Sequence, residues 1–269
     1  LAVMDQPHIA RVLGAGASPE GRPYFVMDCV EGTNITKYCN GERLSLRERI
    51  VIMLKVCRAI EHAHQKGVIH RDLKPSNILI VKGDGGPVPK VIDFGVAKAI
   101  DSLGADLSVT MHDTVVGTPI YMSPEQAFRD EVDVDTRSDV YSLGVLLYEL
   151  LTGYTPLDAD RVRKLGIDGI RQALKESESC RPSLQLRHSR VDDRERIGSE
   201  RSSTIARLEA EIRGDLDWIV MKALERDRAK RYGGASEFAA DLDRYLRQLP
   251  VLASPPRAAD RIGKFIKRH

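Results

Sequence analysis

An aspartate and an asparagine stand five residues apart in the run His70-Arg71-Asp72-Leu73-Lys74-Pro75-Ser76-Asn77. On a loop stiffened by Pro75 both side chains can address one point. A second carboxylate, Asp93, closes the short apolar run Val91–Ile92 and is followed by Phe94 and Gly95. Carboxylate and amide oxygens are hard ligands, suited to magnesium held together with phosphates. Lys74 adds a compact positive charge for a phosphate oxygen. Gly95 permits a tight backbone turn after Phe94. A base, a metal clamp and a cation are what phosphoryl transfer requires, because positioning and electrostatics supply most of its catalysis.

Such groups need a scaffold, and the flanking sequence supplies one. Ser45 and Glu48 form a capping box before Leu46, Ile50, Met53, Leu54, Cys57 and Ile60, which recur at helical spacing until Gly67. A second helix opens near Thr136 and Asp139, runs through Val140, Leu143, Leu146, Leu147 and Leu150, and stops at Gly153. Further helices are predicted over about 215–225 and 236–249. Upstream, Ile9, Val12 and Leu13 are separated from Tyr24–Met27 by a Gly/Pro cluster, which predicts a β-hairpin. The cluster is not a phosphate cradle. Pro19 stands where a dinucleotide fingerprint needs its third glycine, and Arg22-Pro23 follow Gly21 where a P-loop needs Lys-Ser/Thr. Between 175 and 213 dense mixed charge predicts a solvated insert, with a helix near 205–212. The Pro/Ala-rich stretch after Pro250 reads as a linker, and a short basic end follows it.

Composition bounds the rest. With 269 residues, 42% of them hydrophobic, the chain can fill a core. Lysine and arginine total 41 and aspartate and glutamate 39, a balance of +2 that gives no drive toward nucleic acid or membrane. Cys29, Cys39, Cys57 and Cys180 form no C-x-x-C pair and are expected to be reduced thiols of a cytoplasmic domain. Residues 1–10 lack the basic and apolar regions of a signal peptide. The most apolar run, 140–151, falls short of the roughly 20 residues a bilayer crossing needs.

In order, His70–Asn77, Asp93-Phe94-Gly95 and Ser123-Pro124-Glu125 resemble the catalytic loop, the metal-binding triplet and the end of the activation segment of protein kinases. Lys74 resembles the Ser/Thr branch. Residues 217–224 and the tail resemble bacterial receptor-type kinases. The resemblance implies an α+β protein-kinase-like fold: a remnant of the β-rich upper lobe over 1–32, a mostly helical lower lobe over 33–249, and a linker with basic tail over 250–269. It implies ATP and Mg2+ as cofactors and Ser/Thr-bearing proteins as substrates, with self-association for autophosphorylation.

Carried over residue by residue, the resemblance makes Asp72 the acceptor of the substrate proton and puts Lys74 on the γ-phosphate. Asn77 and Asp93 become the metal ligands. Met27 becomes the gatekeeper, Asp28 and Val30 the adenine edge, and Leu79 the floor of the ring site. His70 and Phe94 become spine residues, with Val12 and Leu1 above them. Asp139 anchors the catalytic loop, and Glu125 with Arg231 forms a buried ion pair. By themselves His70 reads as a core histidine, Met27 as a core methionine and Arg71 as a surface cation. Beside Asp72, Arg71 instead suits a phosphate on the hydroxyl-rich stretch 98–116, with Thr110 first and Thr114 second.

The 269 residues contain no G-x-G-x-x-G-x-V loop and no V-A-x-K strand. The expectation is a fragment of a longer reading frame that binds ATP weakly and transfers phosphate poorly. The alternative is a kinase-like interaction module. A nucleic-acid role has only the basic end in its favour.

Overall fold

A computed structural model describes residues 6–19, 23–83, 85–94, 119–128, 134–158, 169, 171–174 and 179–255. The expected hairpin forms from β1 (Val12–Ala17) and β2 (Pro23–Met27), antiparallel with Val12 opposite Met27. Ile9 lies outside it and bridges in parallel to Val91. Ala10 N–H donates to Val91 O at 2.9 Å, and Val91 N–H to His8 O at 2.8 Å. Residues 8–10 are therefore stitched to the strand that leads to Asp93. A second sheet is ordered β3 (Thr33–Asn34), β4 (Ile78–Gly83), β5 (Gly86–Val91), all antiparallel.

The helices are α1 (Ile35–Gly41), α2 (Leu46–Gln65), α3 (Pro124–Ala127), α4 (Thr136–Thr152), α5 (Pro182–Arg187), α6 (Val191–Glu200), α7 (Ile205–Ile212), α8 (Asp215–Ala223) and α9 (Ala235–Leu246). The last two end two or three residues before the sequence-based bounds. The α2 capping box is present, with Ser45 N–H donating to Glu48 Oε2 at 2.8 Å, and Gly67 takes φ +73° at the other end. Gly153 stops α4 in the left-handed region at φ +80°.

Helix α4 is buried on nearly every side, which explains why its sequence is apolar all round rather than on one stripe. Gly144 is the point of closest approach: a Cβ there would lie 2.8 Å from Ala223 Cβ of α8. No described helix is long and apolar enough to cross a membrane. All four cysteines are free thiols, and burial pushes Cys39 up to about 11.

The segment expected to be a solvated insert is instead packed over residues 182–212. Leu186, Ile197, Leu208 and Ile212 are fully buried. The charge density misled because one of its arginines points inward. Arg201 Nε donates to Leu151 O at 2.8 Å and its Nη2 to Glu149 O at 3.1 Å, both at the C-terminal end of α4. Arg49, equally buried, donates to Leu150 O at 3.3 Å and to Cys39 O at 2.9 Å. The last carbonyls of a helix have no partner within it and carry its negative pole. Two guanidinium groups fill that role here. Burial, and then the Arg49 charge, push Arg201 down to about 9.

The expected linker also begins later than the sequence suggested. Val251 is buried, and the N–H groups of Leu252 and Ala253 donate to Asp241 of α9 at 2.7 and 2.9 Å. The basic end lies outside the described residues. Replacing Arg201 by leucine would leave the Leu151 carbonyl without its guanidinium donor and Glu149 O with only the Gly153 N–H. The expected loss is about 2–3 kcal/mol, read from urea unfolding of the chain.

Candidate active site

The loop from α2 to β4 carries the chemistry-bearing residues. Pro75 opens a short 3₁₀ turn, Pro75–Asn77, that swings Asn77 back toward Asp72. Asn77 Nδ2 donates to Asp72 O at 2.8 Å and to Asp72 Oδ2 at 3.1 Å. Lys74 Nζ reaches the same Oδ2 at 2.7 Å. One carboxylate oxygen thus receives both a cation and an amide, and the Asp72 side chain is 54% exposed, open to an incoming group. With its nitrogen committed to Asp72, Asn77 keeps its oxygen, which accepts from Ser76 Oγ at 3.3 Å and has a further lone pair.

Asp93 follows on the other strand. Ile92 N–H donates to Asn77 O at 3.0 Å, which fixes the two strands where Asn77 and Asp93 emerge. Asp93 is exposed and sits at φ +58°, in the left-handed region disfavoured for any residue but glycine. Among the described residues no three His, Cys, Asp or Glu side chains cluster as a metal cage. One carboxylate and one amide oxygen fit a magnesium ion that takes its other ligands from phosphate and water.

His70 is fully buried and ties the catalytic loop to the backbone just before Asp93. Its Nε2 donates to Ile92 O at 3.0 Å, while Nδ1 accepts from Asp72 N–H at 3.3 Å. Its ring lies 4.7 Å from that of Phe94. Burial lowers its pKa below the ordinary 6.5. Asp139, in the first turn of α4, accepts the N–H of His70 on Oδ2 and of Arg71 on Oδ1, both at 2.8 Å.

Arg71 also adopts a left-handed backbone, φ +65°. Its carbonyl accepts from Gln126 Nε2 at 2.6 Å, and Gln126 Oε1 is itself held by Ser123 N–H at 3.1 Å. Sequence reasoning missed Gln126. The only signal was its place three residues after Ser123, a capping-box spacing. It also missed His64, whose Nε2 lies 2.8 Å from Asp139 Oδ2. No spacing rule links positions 75 residues apart.

Glu125 and Arg231 pair in a two-pronged contact at 2.6 and 2.8 Å. Ser138 Oγ adds a bond to Glu125 at 2.7 Å, and Arg231 Nε donates to Glu225 O at 2.6 Å. Burial raises the Glu125 pKa, but the Arg231 hydrogen bonds and charge more than offset this and hold it below 4.5.

The residues expected to meet adenine are split between the two sheets. Met27 ends β2, and Asp28 N–H is already bonded to Arg11 O at 2.9 Å. Val30 is half-buried in the strand-free stretch that follows. Leu79 lies in β4, and a Cβ on Gly32 would come within 3.1 Å of Leu79 Cβ, so this stretch runs directly against that strand. Gly95, Thr110 and Thr114 lie outside the described residues, as does Leu1.

A family model described as "Protein kinase domain" matches residues 1–241. The chain is similar to serine/threonine-protein kinase PknB of Mycolicibacterium smegmatis, 36% identical over 97% of the chain and 39% of that protein. A probable serine/threonine-protein kinase PknB of Bifidobacterium longum is 33% identical over 94% of the chain and 33% of its own length. The chain therefore spans about two fifths or less of these curated relatives. Among solved structures, the PknI kinase domain of Mycobacterium tuberculosis superposes with a TM-score of 0.59 at 24% identity, covering 91% of this chain and 74% of that one. At that identity the likeness speaks for the fold.

Two of the perturbed groups, His70 and Glu125, shape the acid response. His70 binds a proton more readily unfolded than folded, so stability falls as pH drops below its ordinary 6.5. Glu125, held below its ordinary 4.5, stabilises the fold above that value and loses this contribution as pH falls through its lowered pKa. Urea midpoints are expected to decline in two stages, and His70→Phe should diminish the first, to which His8, also lowered by burial, contributes. A midpoint that stays flat between about pH 7 and 5 would contradict the His70 assignment.

Proposed function

The chain belongs to the protein kinase family, and from that premise we propose that it transfers the γ-phosphate of ATP to serine and threonine hydroxyls of proteins. The observation that carries this reading is the convergence of Lys74 Nζ and Asn77 Nδ2 on one oxygen of an exposed Asp72. Both contacts hold the carboxylate in place and leave its second oxygen to take the substrate hydroxyl proton. Lys74 would offer its ammonium to the transferred phosphate. Asn77 Oδ1 and Asp93 would hold Mg2+, whose charge neutralises the phosphates. Met27, the carbonyl of Asp28 and the N–H of Val30 would border the adenine, with Leu79 beneath it.

Arg71 belongs to the regulatory part of the proposal. A phosphate on Thr110, or second on Thr114, would pair with its guanidinium and order the intervening segment. Modification between copies of the chain would supply that phosphate. Peptide mapping of active protein should find phosphate between Asp93 and Glu125; an unmodified segment would remove this part.

The central test is transfer from Mg-ATP to a Ser/Thr protein substrate by the longest product of this reading frame. Asp72→Asn is expected to lower the rate by about 10²–10⁴-fold. Equal rates in the variant would sink the assignment of Asp72. Absence of transfer by the unmutated protein would favour an interaction module instead.

A further inference from the structure

Helix α2 carries a second array of charged groups outside the site described above. Lys55, Arg58 and His62 stand three and four residues apart, so they share one stripe of that helix. Beside the stripe lies an open cavity of about 410 Å³, lined in part by Gln6, Arg58, Glu61, His62, Gln65 and Ser236. Its acidic group is already engaged. Glu61 Oε2 accepts the N–H of Ser236, in the first turn of α9, at 3.0 Å, and Oε1 accepts from Gln65 Nε2 at 3.2 Å. A carboxylate at a helix N-terminus is stabilised by the helix dipole. Arg58, by contrast, is exposed and has no hydrogen bond or ion pair among the described residues.

The positive charge continues past the cavity toward β5. Lys55 Nζ donates to Pro87 O at 2.8 Å, and His8 Nδ1 donates to Pro89 O at 3.1 Å. Lys90 comes next in β5 and has no ion pair among the described residues. Burial lowers the pKa of His8, its bond to Pro89 opposes this, and the charges of Lys55, Lys90 and Arg58 lower it further. These basic groups therefore lie within electrostatic reach of one point. Pro87 and Pro89 have no N–H, and their carbonyls are taken, so this edge cannot accept an added strand. An occupant must be held by side chains, and the side chains offer positive charge.

We propose that this groove is a docking site for an acidic peptide segment of a partner protein, with one carboxylate in the cavity beside Arg58 and others along Lys55 and Lys90. The dimensions fit. Lys55 to His62 spans about 10 Å of α2, the length of about three extended residues. A guanidinium takes a carboxylate through two parallel hydrogen bonds, and Arg58 has none of its donors committed. A nucleic acid fits less well, because its phosphates need a longer array of cations and Glu61 stands in the wall. A membrane surface does not reach into a recess. Docking here is independent of phosphoryl transfer.

The probe is a fluorescein-labelled octapeptide of alternating glutamate and alanine, with the glutamine–alanine peptide as control. The glutamate peptide should bind the chain saturably, and the control should not. Its addition should move the backbone NMR signals of His8, Arg58, His62 and Lys90 and leave those of Asp72 and Asn77 in place. Arg58→Glu should weaken binding about tenfold. Arg58→Gln, which serves if the charge reversal does not fold, should weaken it about threefold. Arg207→Glu, a reversal on the exposed face of α7, should change it by less than about twofold. No saturation below about 1 mM peptide, equal losses in the Arg58 and Arg207 variants, or NMR shifts centred outside the groove overturn the proposal. So does tighter binding of a single-stranded oligonucleotide or of phosphatidylserine vesicles than of the peptide. Failure of the protein to transfer phosphate counts against the kinase reading alone and leaves these results to decide the docking site.

Discussion

The carboxylate of Asp139 is the constraint on which the site depends. It sits in the first turn of a helix buried on nearly every side, and it reaches out to hold two consecutive backbone amides of the loop that carries Asp72. The loop has no regular structure to hold its own N–H groups, so a buried carboxylate takes the place of a strand partner. Everything that keeps α4 in register thereby keeps Asp72 in register. Gly144 lets α8 come close, and Arg49 and Arg201 saturate the far end of the helix. Ser138, next to Asp139, ties the same turn to the Glu125–Arg231 pair. The reacting end of the site is built on the most deeply buried element of the chain.

Strain is concentrated where that scaffold meets the surface. Arg71 and Asp93 both occupy left-handed backbone, a conformation that costs non-glycine residues on the order of 1–3 kcal/mol each. Both lie beside a proposed functional atom, one before Asp72 and one at the metal position. Arg71 is held from both faces by Asp139 and Gln126. Asp93 is approached through Ile92, whose carbonyl is bonded to His70 and whose N–H is bonded to Asn77. The strained residues are therefore the last links of two hydrogen-bonded chains that begin in the core.

Much of this was legible in the sequence, and the parts that were not share a physical cause. The capping box at Ser45, the stops at Gly67 and Gly153, and the β1–β2 hairpin rest on local rules and follow from neighbouring residues. The catalytic-loop motif is equally local, since Pro75 turns Asn77 onto Asp72 within six residues. What could not be read is contact between distant residues of unremarkable type. His64 and Gln126 look like any polar residues until the fold brings them to Asp139 and Arg71. The stretch 182–212 was misread for a related reason. Charge counts say nothing about direction, and Arg201 turns its guanidinium inward onto carbonyls rather than outward to water.

Asp241 changes where the folded unit ends. The match to the family model stops at this residue, and the composition places a linker from Pro250 onward. Yet Asp241 is fully buried, and two of its hydrogen bonds come from Leu252 and Ala253, with Val251 buried beside them. A chain cut at either of the apparent boundaries would leave a buried carboxylate short of two donors and would uncover the surface under Val251. Whatever is fused, tethered or excised on that side of the molecule must respect residues 251–253 as part of the lobe. Those three residues set the fixed point from which any following segment departs.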